Sequence, residues 1–292
     1  MKTVQRYVRP RDLGQALHLA KEDPGAVWLA GGTLLLAGDY ADKPASVVDV
    51  GPVLGRGIER RDGSLEIGAG LTLQSLAESE AAPEILRKAA LGIGSRNVRN
   101  RATVGGNIAA NRSSSALIPA FLVLDARLEI AGVRGPDSRS ETELASYLAA
   151  PSGLILSVGI PERPSRRLGY GRWARTANDA AVLVAAVSFA VEGSAMKDAK
   201  IAMGGITAKA RRLFDLEKRF EGLQVQGLPL DELRDQVERM ALPLLVPDGQ
   251  GVVSASFRKV RGAALLAQAV AEALGGPVDA PDRDRSGKGG VR

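Results

Sequence analysis

Residues 94–109 have the sequence GSRNVRNRATVGGNIA, and their most informative part is TVGGN at 103–107. Adjacent glycines adopt positive φ angles at low cost and let a ligand approach backbone N–H groups without an intervening Cβ. Asn107 adds an amide that both donates and accepts hydrogen bonds. We interpret residues 92–111 mostly as a loop, and the glycine pair as suited to holding a phosphate.

A second glycine pair lies in AGGTLL at 30–35, after the apolar run AVWLA at 26–30. The pattern predicts a strand, a tight glycine turn and a short helix over 34–37. The unpaired N–H groups of a helix start favour anions, and Thr33 adds a hydroxyl donor.

The two glycine segments lie about 70 residues apart in different small units, which suits a pyrophosphate held between two subdomains. The chain contains neither GxGxxG nor GxxxxGK[ST], which disfavours a Rossmann dinucleotide domain and a P-loop NTPase. The alternative, that each glycine pair is only a tight turn, stays open at this point.

Composition excludes several kinds of chemistry. The 292 residues contain no cysteine, which excludes disulfides, thiolate zinc sites, a cysteine nucleophile and an iron–sulfur cluster held by this chain. The single histidine, His18, cannot build a multi-histidine metal site, and it lies among the polar positions of a predicted helix over 10–22. We interpret it as a surface histidine without a sequence-local partner.

Charge leaves one further alternative open. Lys and Arg exceed Asp and Glu by 39 to 33, which gives a net charge of +6. Two groups of arginines would allow a basic RNA-binding protein. They are Arg96, Arg99 and Arg101 in the region of the second glycine pair, and the arginines within residues 163–175. Only 4% of residues are aromatic, which argues against base stacking, so we expect no nucleic acid.

The apolar runs are too short to span a bilayer. The longest are 26–38 and 180–191, below the roughly 18 to 20 residues that a membrane helix needs. The first residues also lack the apolar core of a signal peptide. We therefore expect a cytoplasmic protein with no membrane association.

Hydrophobic periodicity predicts short strands mixed with helices, an α+β pattern. The predicted strands are 46–50, 64–67, 127–130, 154–160, 180–191 and 200–203. The predicted helices are 73–79, with Thr72 as its cap, 83–91, 118–125, 230–241 and 257–274. A Pro, Arg and Gly-rich stretch predicts a domain boundary near 161–175, and residues 277–292 lack apolar side chains and are predicted to be a disordered tail.

Several motifs together resemble a known family, the FAD-binding (medium) subunit of the molybdenum hydroxylases, which include bacterial xanthine dehydrogenase and carbon monoxide dehydrogenase. The matching stretches occur in family order: AGGTLLL at 30–36, IGAGLTLQSLAES at 67–79, GSRNVRNRATVGGNIA at 94–109, LIPAFLVLDARLEI at 117–130 and AMGGITAKARR at 202–212. The resemblance implies two N-terminal FAD-binding subdomains, vanillyl-alcohol oxidase-like, and a C-terminal α+β domain of the CO dehydrogenase flavoprotein type. We assign these to residues 1–55, 56–165 and 166–276.

The resemblance also implies which residues contact the cofactor. The two glycine loops would enclose the FAD pyrophosphate and ribityl chain, and a residue near Ile155 would lie against the isoalloxazine ring. Arg172 falls about where many members have a flavin-side lysine. The candidate set is Val27, Trp28, Leu29, Ala30, Gly31, Gly32, Thr33, Leu34, Ala102, Thr103, Val104, Gly105, Gly106, Asn107, Ile155 and Arg172.

Two positions depart from the family pattern. Leu34 stands where many members continue AGGT with Asp, and Ala116 replaces the Asp of the family's S-D-L-x-P segment. Losing a carboxylate to the ribityl hydroxyls weakens FAD binding by about 1 to 3 kcal/mol unless another acceptor replaces it. The nearby candidates are Asn111, Ser113 and Ser114.

The family implies an electron-transfer subunit without catalytic side chains of its own. FAD would exchange electrons with [2Fe-2S] clusters on an iron–sulfur subunit, a molybdopterin subunit would oxidise the substrate, and NAD is a candidate acceptor. A chain without cysteine fits this division, because the clusters must be elsewhere. The alternative is an FAD-free scaffold subunit of the same kind of complex, suggested by Leu34 and Ala116.

Overall fold

The computed structural model describes residues 4–37, 44–132, 135, 138–176, 179–248 and 253–275. The predicted tail over 277–292 lies outside these residues. The first unit of the fold is a three-stranded parallel sheet with one helix. Its elements are β1 (Arg6–Val8), α1 (Leu13–Glu22), β2 (Val27–Leu29) and β3 (Ser46–Asp49), with strand order β1-β3-β2.

The second unit is a five-stranded antiparallel sheet with order β4-β5-β8-β6-β7, and five helices lie between its second and third strands in sequence. Its elements are β4 (Ile58–Arg61), β5 (Ser64–Gly68), α2 (Leu73–Glu78), α3 (Glu84–Leu91), α4 (Arg96–Arg99), α5 (Val104–Ala110), α6 (Leu117–Val123), β6 (Arg127–Ala131), β7 (Arg139–Glu143), α7 (Leu144–Ala149) and β8 (Leu154–Pro161).

The third unit is a four-stranded antiparallel sheet with order β12-β11-β10-β9, followed by helices. Its elements are β9 (Arg167–Trp173), β10 (Leu183–Glu192), β11 (Ala195–Gly204), β12 (Arg211–Arg212), α8 (Phe214–Phe220), α9 (Leu230–Ala241), a 3-10 turn (Leu242–Leu244) and α10 (Ala255–Ala273).

Strand β10 joins two hydrophobic cores. Successive side chains of a strand point to opposite faces of its sheet. Val184 and Ala186 belong to the core shared with the first two units. Leu183 and Val187 belong to the second core, formed with α8, α9 and α10. The C-terminal sheet is therefore buried on both faces and holds the N-terminal half against the last helices.

The domain boundary predicted near 161–175 is where the chain leaves β8 at Pro161 and enters β9 (Arg167–Trp173), an edge strand of the third sheet. A Cβ on Gly169 would lie 1.9 Å from the carbonyl oxygen of Ala269, and one on Gly171 would lie 2.8 Å from the Leu265 side chain. These glycines let α10 lie directly on the sheet. The glycines of this stretch thus serve the close packing of a helix on the sheet.

The loop predicted over 92–111 contains two helices instead. Ser95 caps α4 by accepting from the N–H of Val98, and Thr103 caps α5 by accepting from the N–H of Gly106. The N-cap serine and threonine outweigh the low helix propensity of the glycines. Conversely, the helix predicted over 34–37 is a turn, closed by a bond from Leu36 N–H to the Gly32 carbonyl.

Other predicted elements are confirmed, and the best defined have clear end signals. Thr72 caps α2 by accepting from the N–H of Ser75, and α9 spans the predicted residues 230–241. The turn between β10 and β11 contains Gly193 with a φ of 63°. The mixed architecture confirms the α+β expectation.

We expect Glu217→Gln to destabilise the C-terminal unit. The buried Glu217 carboxylate accepts from the N–H of Ile201 at 2.9 Å and from both Nε and Nη2 of Arg212 at 2.8 Å. An amide at this position turns one acceptor into a donor that faces the guanidinium. The free energy of unfolding should fall by about 3 kcal/mol, measured by urea denaturation.

The matched control for this variant is Glu59→Gln, because Glu59 is exposed on β4. We expect it to change the urea midpoint little. Equal effects of the two substitutions would contradict the role assigned to the Glu217 carboxylate.

Candidate functional site

A cavity of about 450 Å³ lies where the three units meet, a volume within the range of small-molecule and cofactor sites. Its lining comes from β2 and the following turn, residues 92–94, α5 and the loop after it, the start of β8, and residues 180–181. The lining is mainly apolar. The cavity therefore has the composition expected of a site for a large, partly apolar ligand.

The turn after β2 supplies free backbone donors. Gly31, Gly32, Thr33 and Leu34 all line the cavity, and their N–H groups have no acceptor among the described residues. Gly32 has a φ of 70°, which only glycine adopts readily. Consecutive unpaired N–H groups in a turn form a concave anion-binding surface. We call Gly31 to Leu34 the N–H cradle.

Close packing brings the two glycine segments together. A Cβ on Gly31 would lie 2.0 Å from the backbone oxygen of Arg101, just before α5. Gly105 in α5 is also closely packed, against the residue that follows β5, since its Cβ would lie 2.7 Å from the Cβ of Ala69. Both segments thus line one cavity, as the pyrophosphate hypothesis requires.

The second glycine segment does not offer free donors, so that part of the phosphate prediction is wrong. Val104 and Gly105 donate their N–H groups to Leu71 and Ala69 at 2.9 Å, and Gly106 donates to Thr103 Oγ1 at 3.1 Å. Local turn chemistry could not reveal these long-range acceptors. The segment shapes the cavity, and the N–H cradle supplies its donors.

Gly106 and Asn107 face the cavity from the first turns of α5. Gly106 is exposed, and a Cβ there would meet only Thr103 Oγ1 at 2.8 Å. Asn107 accepts a hydrogen bond from the buried Ser115 hydroxyl at 2.7 Å, which orients its amide. Any larger side chain at position 106 would therefore project into the space that a ligand needs.

Of the sixteen candidate residues, fourteen line the cavity. They are residues 27–34, Ala102, Thr103, Gly105, Gly106, Asn107 and Ile155. Val104 does not, because its side chain is fully buried in the core. Arg172 lies behind Gly92, and its Nη2 donates to the carbonyl of Asp179. The structure thus brings together the predicted loops but not these two side chains.

Four polar side chains in the lining are absent from the predicted set. Arg112, Ser114 and Ser115 follow α5, and Tyr147 lies on α7. Burial raises the pKa of Tyr147, which keeps its phenol neutral. Among the three residues proposed to replace the family's Asp, only Ser114 lines the cavity; the sequence signal was the polar run NRSSS at 111–115.

Several of the arginines predicted to face a phosphate or RNA have protein partners. Arg96 pairs with Glu78 at 2.9 Å, and Arg99 donates to Gln74 at 2.9 Å and to the Gly94 carbonyl at 2.7 Å. In the later cluster, Arg166 pairs with Asp198 at 2.6 Å. Neither Arg96, Arg99 nor Arg101 lines the cavity.

Metal chemistry has no candidate site within the part of the chain that the structure describes, where no three His, Cys, Asp or Glu side chains cluster. His18 is exposed, as expected, but it does have a sequence-local partner: its Nε2 lies 3.0 Å from a Glu22 carboxylate oxygen. Within the same described ranges, no helix has the length and apolar character needed to cross a bilayer.

The fold and cavity define a protein with a mainly apolar site where its three units meet, with backbone donors at one side of it. Comparison with known proteins then gives the family. The FAD binding domain in molybdopterin dehydrogenase matches residues 2–163, and the CO dehydrogenase flavoprotein C-terminal domain matches residues 169–273. The chain therefore belongs to the FAD-binding subunits of the molybdenum hydroxylases, which are flavoprotein oxidoreductase subunits. The family resemblance, the fold type and the FAD cofactor expected from the sequence are confirmed.

Individual relatives support the same family. The Escherichia coli K12 protein YgfM is 32% identical over 256 residues, which cover 84% of this chain and 95% of that protein. The nicotine 6-hydroxylase medium subunit of Paenarthrobacter nicotinovorans is 30% identical over 230 residues, with 75% and 81% covered. A chain of carbon monoxide dehydrogenase from Hydrogenophaga pseudoflava has the same fold, with a TM-score of 0.84 at 21% identity over 94% of this chain and 99% of that one.

The cavity residues fit FAD. The N–H cradle suits a diphosphate, because it offers several donors and lies away from any carboxylate in the described lining. The Asn107 amide, Ser114 and Ser115 offer partners for hydroxyl groups. The apolar remainder, including Ile155 and Ala181, suits an aromatic ring system.

Proposed function

We propose that this chain is an FAD-binding electron-transfer subunit that uses the cavity described above as its flavin site. The observation that carries the proposal is the N–H cradle: Gly31 to Leu34 present unpaired backbone donors to a cavity that has no acidic side chain in its described lining. Such a surface has no structural use for its donors until an anion binds.

The residues that hold the cofactor are proposed as follows. The N–H cradle binds the diphosphate, and α5 forms the wall beside it through Gly105 and Gly106. Asn107 and Ser115 contact the ribityl chain. Ile155 at the start of β8 packs against the ring. Arg172 and Val104 from the candidate set support the site from behind its lining.

Bound FAD exchanges two electrons at once with one reaction partner and single electrons with the other. The protein positions the cofactor and sets its electrostatic environment. The N–H cradle orients the diphosphate without using a charged side chain. The apolar wall around Ile155 excludes water from the ring. Tyr147 stays neutral because burial raises its pKa, so it offers a hydroxyl hydrogen bond at this wall.

Partner subunits follow from what this chain lacks. It has no cysteine, so iron–sulfur clusters would be held by a separate iron–sulfur subunit, and membership of the molybdopterin dehydrogenase family supports a separate molybdopterin subunit. One relative is named a medium subunit, and another a dehydrogenase complex subunit alpha. We propose the same kind of assembly here, located in the cytoplasm, with NAD as the candidate electron acceptor and no activity on substrate by this chain alone.

The domain division is proposed at the boundaries expected from the sequence. The first sheet ends at Asp49, the second runs from Ile58 to Pro161, and the third begins at Arg167. These limits support subdomains over 1–55 and 56–165 and a C-terminal domain over 166–276.

An FAD-free scaffold subunit is the second candidate, and one observation favours it. Leu34 and Ala116 both line the cavity, where family members carry carboxylates toward the cofactor. The lining keeps hydroxyl and amide groups that can replace them, Ser114, Ser115 and Asn107. We therefore favour the flavin-bound form.

The two candidates differ in a visible absorption spectrum of the purified chain, before and after incubation with FAD. We expect flavin bands and about one FAD per chain released on denaturation. A chain that stays colourless with excess FAD, alone and when co-purified with its partner subunits, would contradict the flavin assignment and support the scaffold.

A further inference from the structure

We propose that Arg112 sets the redox preference of the bound flavin by placing a positive charge beside its ring. This inference rests on the proposed function. It goes beyond it because it assigns a residue outside the predicted set to the reduction potential rather than to FAD binding.

Arg112 is unlike the other cavity residues. Within the described part of the chain it is the one charged residue in the lining, it is exposed, and its side chain makes no hydrogen bond or ion pair with a described residue. Arg99, Arg166 and Arg258 are by contrast tied down by protein acceptors. The Arg112 guanidinium is thus available to a ligand.

The fold places Arg112 and the N–H cradle at opposite ends of α5. Gly31 of the cradle contacts the Arg101 backbone just before the helix begins, whereas Arg112 follows its last residue, Ala110, by two positions. Seven helical residues rise about 10 Å. A ligand whose anionic group occupies the cradle therefore extends a different part toward Arg112.

In our proposal, the part of FAD near Arg112 is the isoalloxazine ring, because its charge changes with the redox state. The diphosphate is negative in every redox state, and it is matched by the cradle. On two-electron reduction the ring takes up two electrons and one proton at N5, and a negative charge remains over N1 and the C2 carbonyl. The electrons come from a one-electron iron–sulfur donor in two steps, or from dithionite in a titration. No bond to Arg112 forms.

A guanidinium beside that edge of the ring stabilises the negative reduced form more than the neutral oxidised form. This is because a hydrogen bond between two ionised groups is stronger than one to a neutral acceptor. No carboxylate in the described lining offsets its charge, since Leu34 and Ala116 are apolar. The two departures from the family pattern thus leave the effect of Arg112 undiminished.

The test compares the reduction potential of bound FAD in the wild type, Arg112→Gln and Arg112→Lys, by dithionite titration against a redox dye. We expect Arg112→Gln to weaken the binding of reduced FAD about tenfold relative to that of oxidised FAD. This lowers the reduction potential by about 30 mV for a two-electron couple. Arg112→Lys should keep most of the potential. The Kd for oxidised FAD should change by less than about threefold in both variants.

Arg61→Gln is the matched control, because this substitution removes the same charge. Arg61 is exposed on β4, outside the cavity lining. The substitution should leave the potential unchanged. Equal potentials in Arg112→Gln and Arg61→Gln would overturn the proposal, as would a tenfold loss of oxidised FAD affinity at constant potential, which would assign Arg112 to the diphosphate. A wild type that binds no FAD would contradict the proposed function itself.

Discussion

Gly106→Val should abolish FAD binding while leaving the fold intact. The added side chain would project into the cavity from the first turn of α5, where Gly106 is exposed and its Cβ would meet only Thr103 Oγ1 at 2.8 Å. Overfilling a fitted site costs on the order of 3 kcal/mol, so the Kd should rise at least about a hundredfold. The quenching of flavin fluorescence during titration with apoprotein measures this.

Stability should respond little to the same change. Valine has a slightly better helix propensity than glycine, and a displaced Thr103 cap costs about 1 kcal/mol. Gly14→Val is the matched control, because Gly14 is exposed in the first turn of α1 and a Cβ there would meet only Asp12 Oδ1, at 3.4 Å. It should bind FAD normally. Undiminished binding in Gly106→Val would remove α5 from the flavin site.

Gly31→Val, in contrast to Gly106→Val, should destabilise the fold of the N-terminal half. Its Cβ would lie 2.0 Å from the Arg101 carbonyl oxygen and 3.1 Å from the Ala102 Cα. These are backbone atoms of the segment entering α5, so no side-chain rotation relieves the overlap. We expect a loss above about 4 kcal/mol, seen as a lower thermal unfolding midpoint and a low yield of folded chain.

The control for this variant is Gly25→Val, in the loop before β2. Gly25 is exposed, and a Cβ there would be 3.5 Å from Asp23 Oδ1. Its unfolding midpoint should stay close to that of the wild type. A folded Gly31→Val protein of normal stability would show that the two glycine segments are not packed together as described.

Local signals were sufficient for much of the secondary structure. Thr72 before an apolar repeat predicted α2, and the apolar spacing over 230–241 predicted α9. Both depend on interactions within a few residues, capping and amphipathic periodicity. The order of the strands in the sheets depends on contacts far apart in sequence, so the local patterns did not predict it.

Glycine-rich stretches were the main source of error. Residues 92–111 were expected to be mostly a loop, yet they contain two capped helices. Their glycines permit close approach of another backbone, Ala69 at Gly105, as Gly169 in β9 permits the approach of Ala269. Sequence alone does not show which partner approaches, so conformational freedom and tight packing look the same.

The candidate site was predicted in outline but not in its electrostatics. The residues around both glycine pairs line one cavity, whereas Arg96 and Arg99 are paired elsewhere and Arg112 was missed. Whether an arginine is free depends on carboxylates and carbonyls brought close by the fold. That information is tertiary, and no spacing rule supplies it.

The most direct test of the flavin site is a crystal structure of the chain with FAD. We predict the diphosphate within hydrogen-bond distance of the N–H groups of Gly31 to Leu34, and the ring in the cavity against Ile155. FAD bound on another surface, or a diphosphate that makes no contact with these N–H groups, would contradict the assignment.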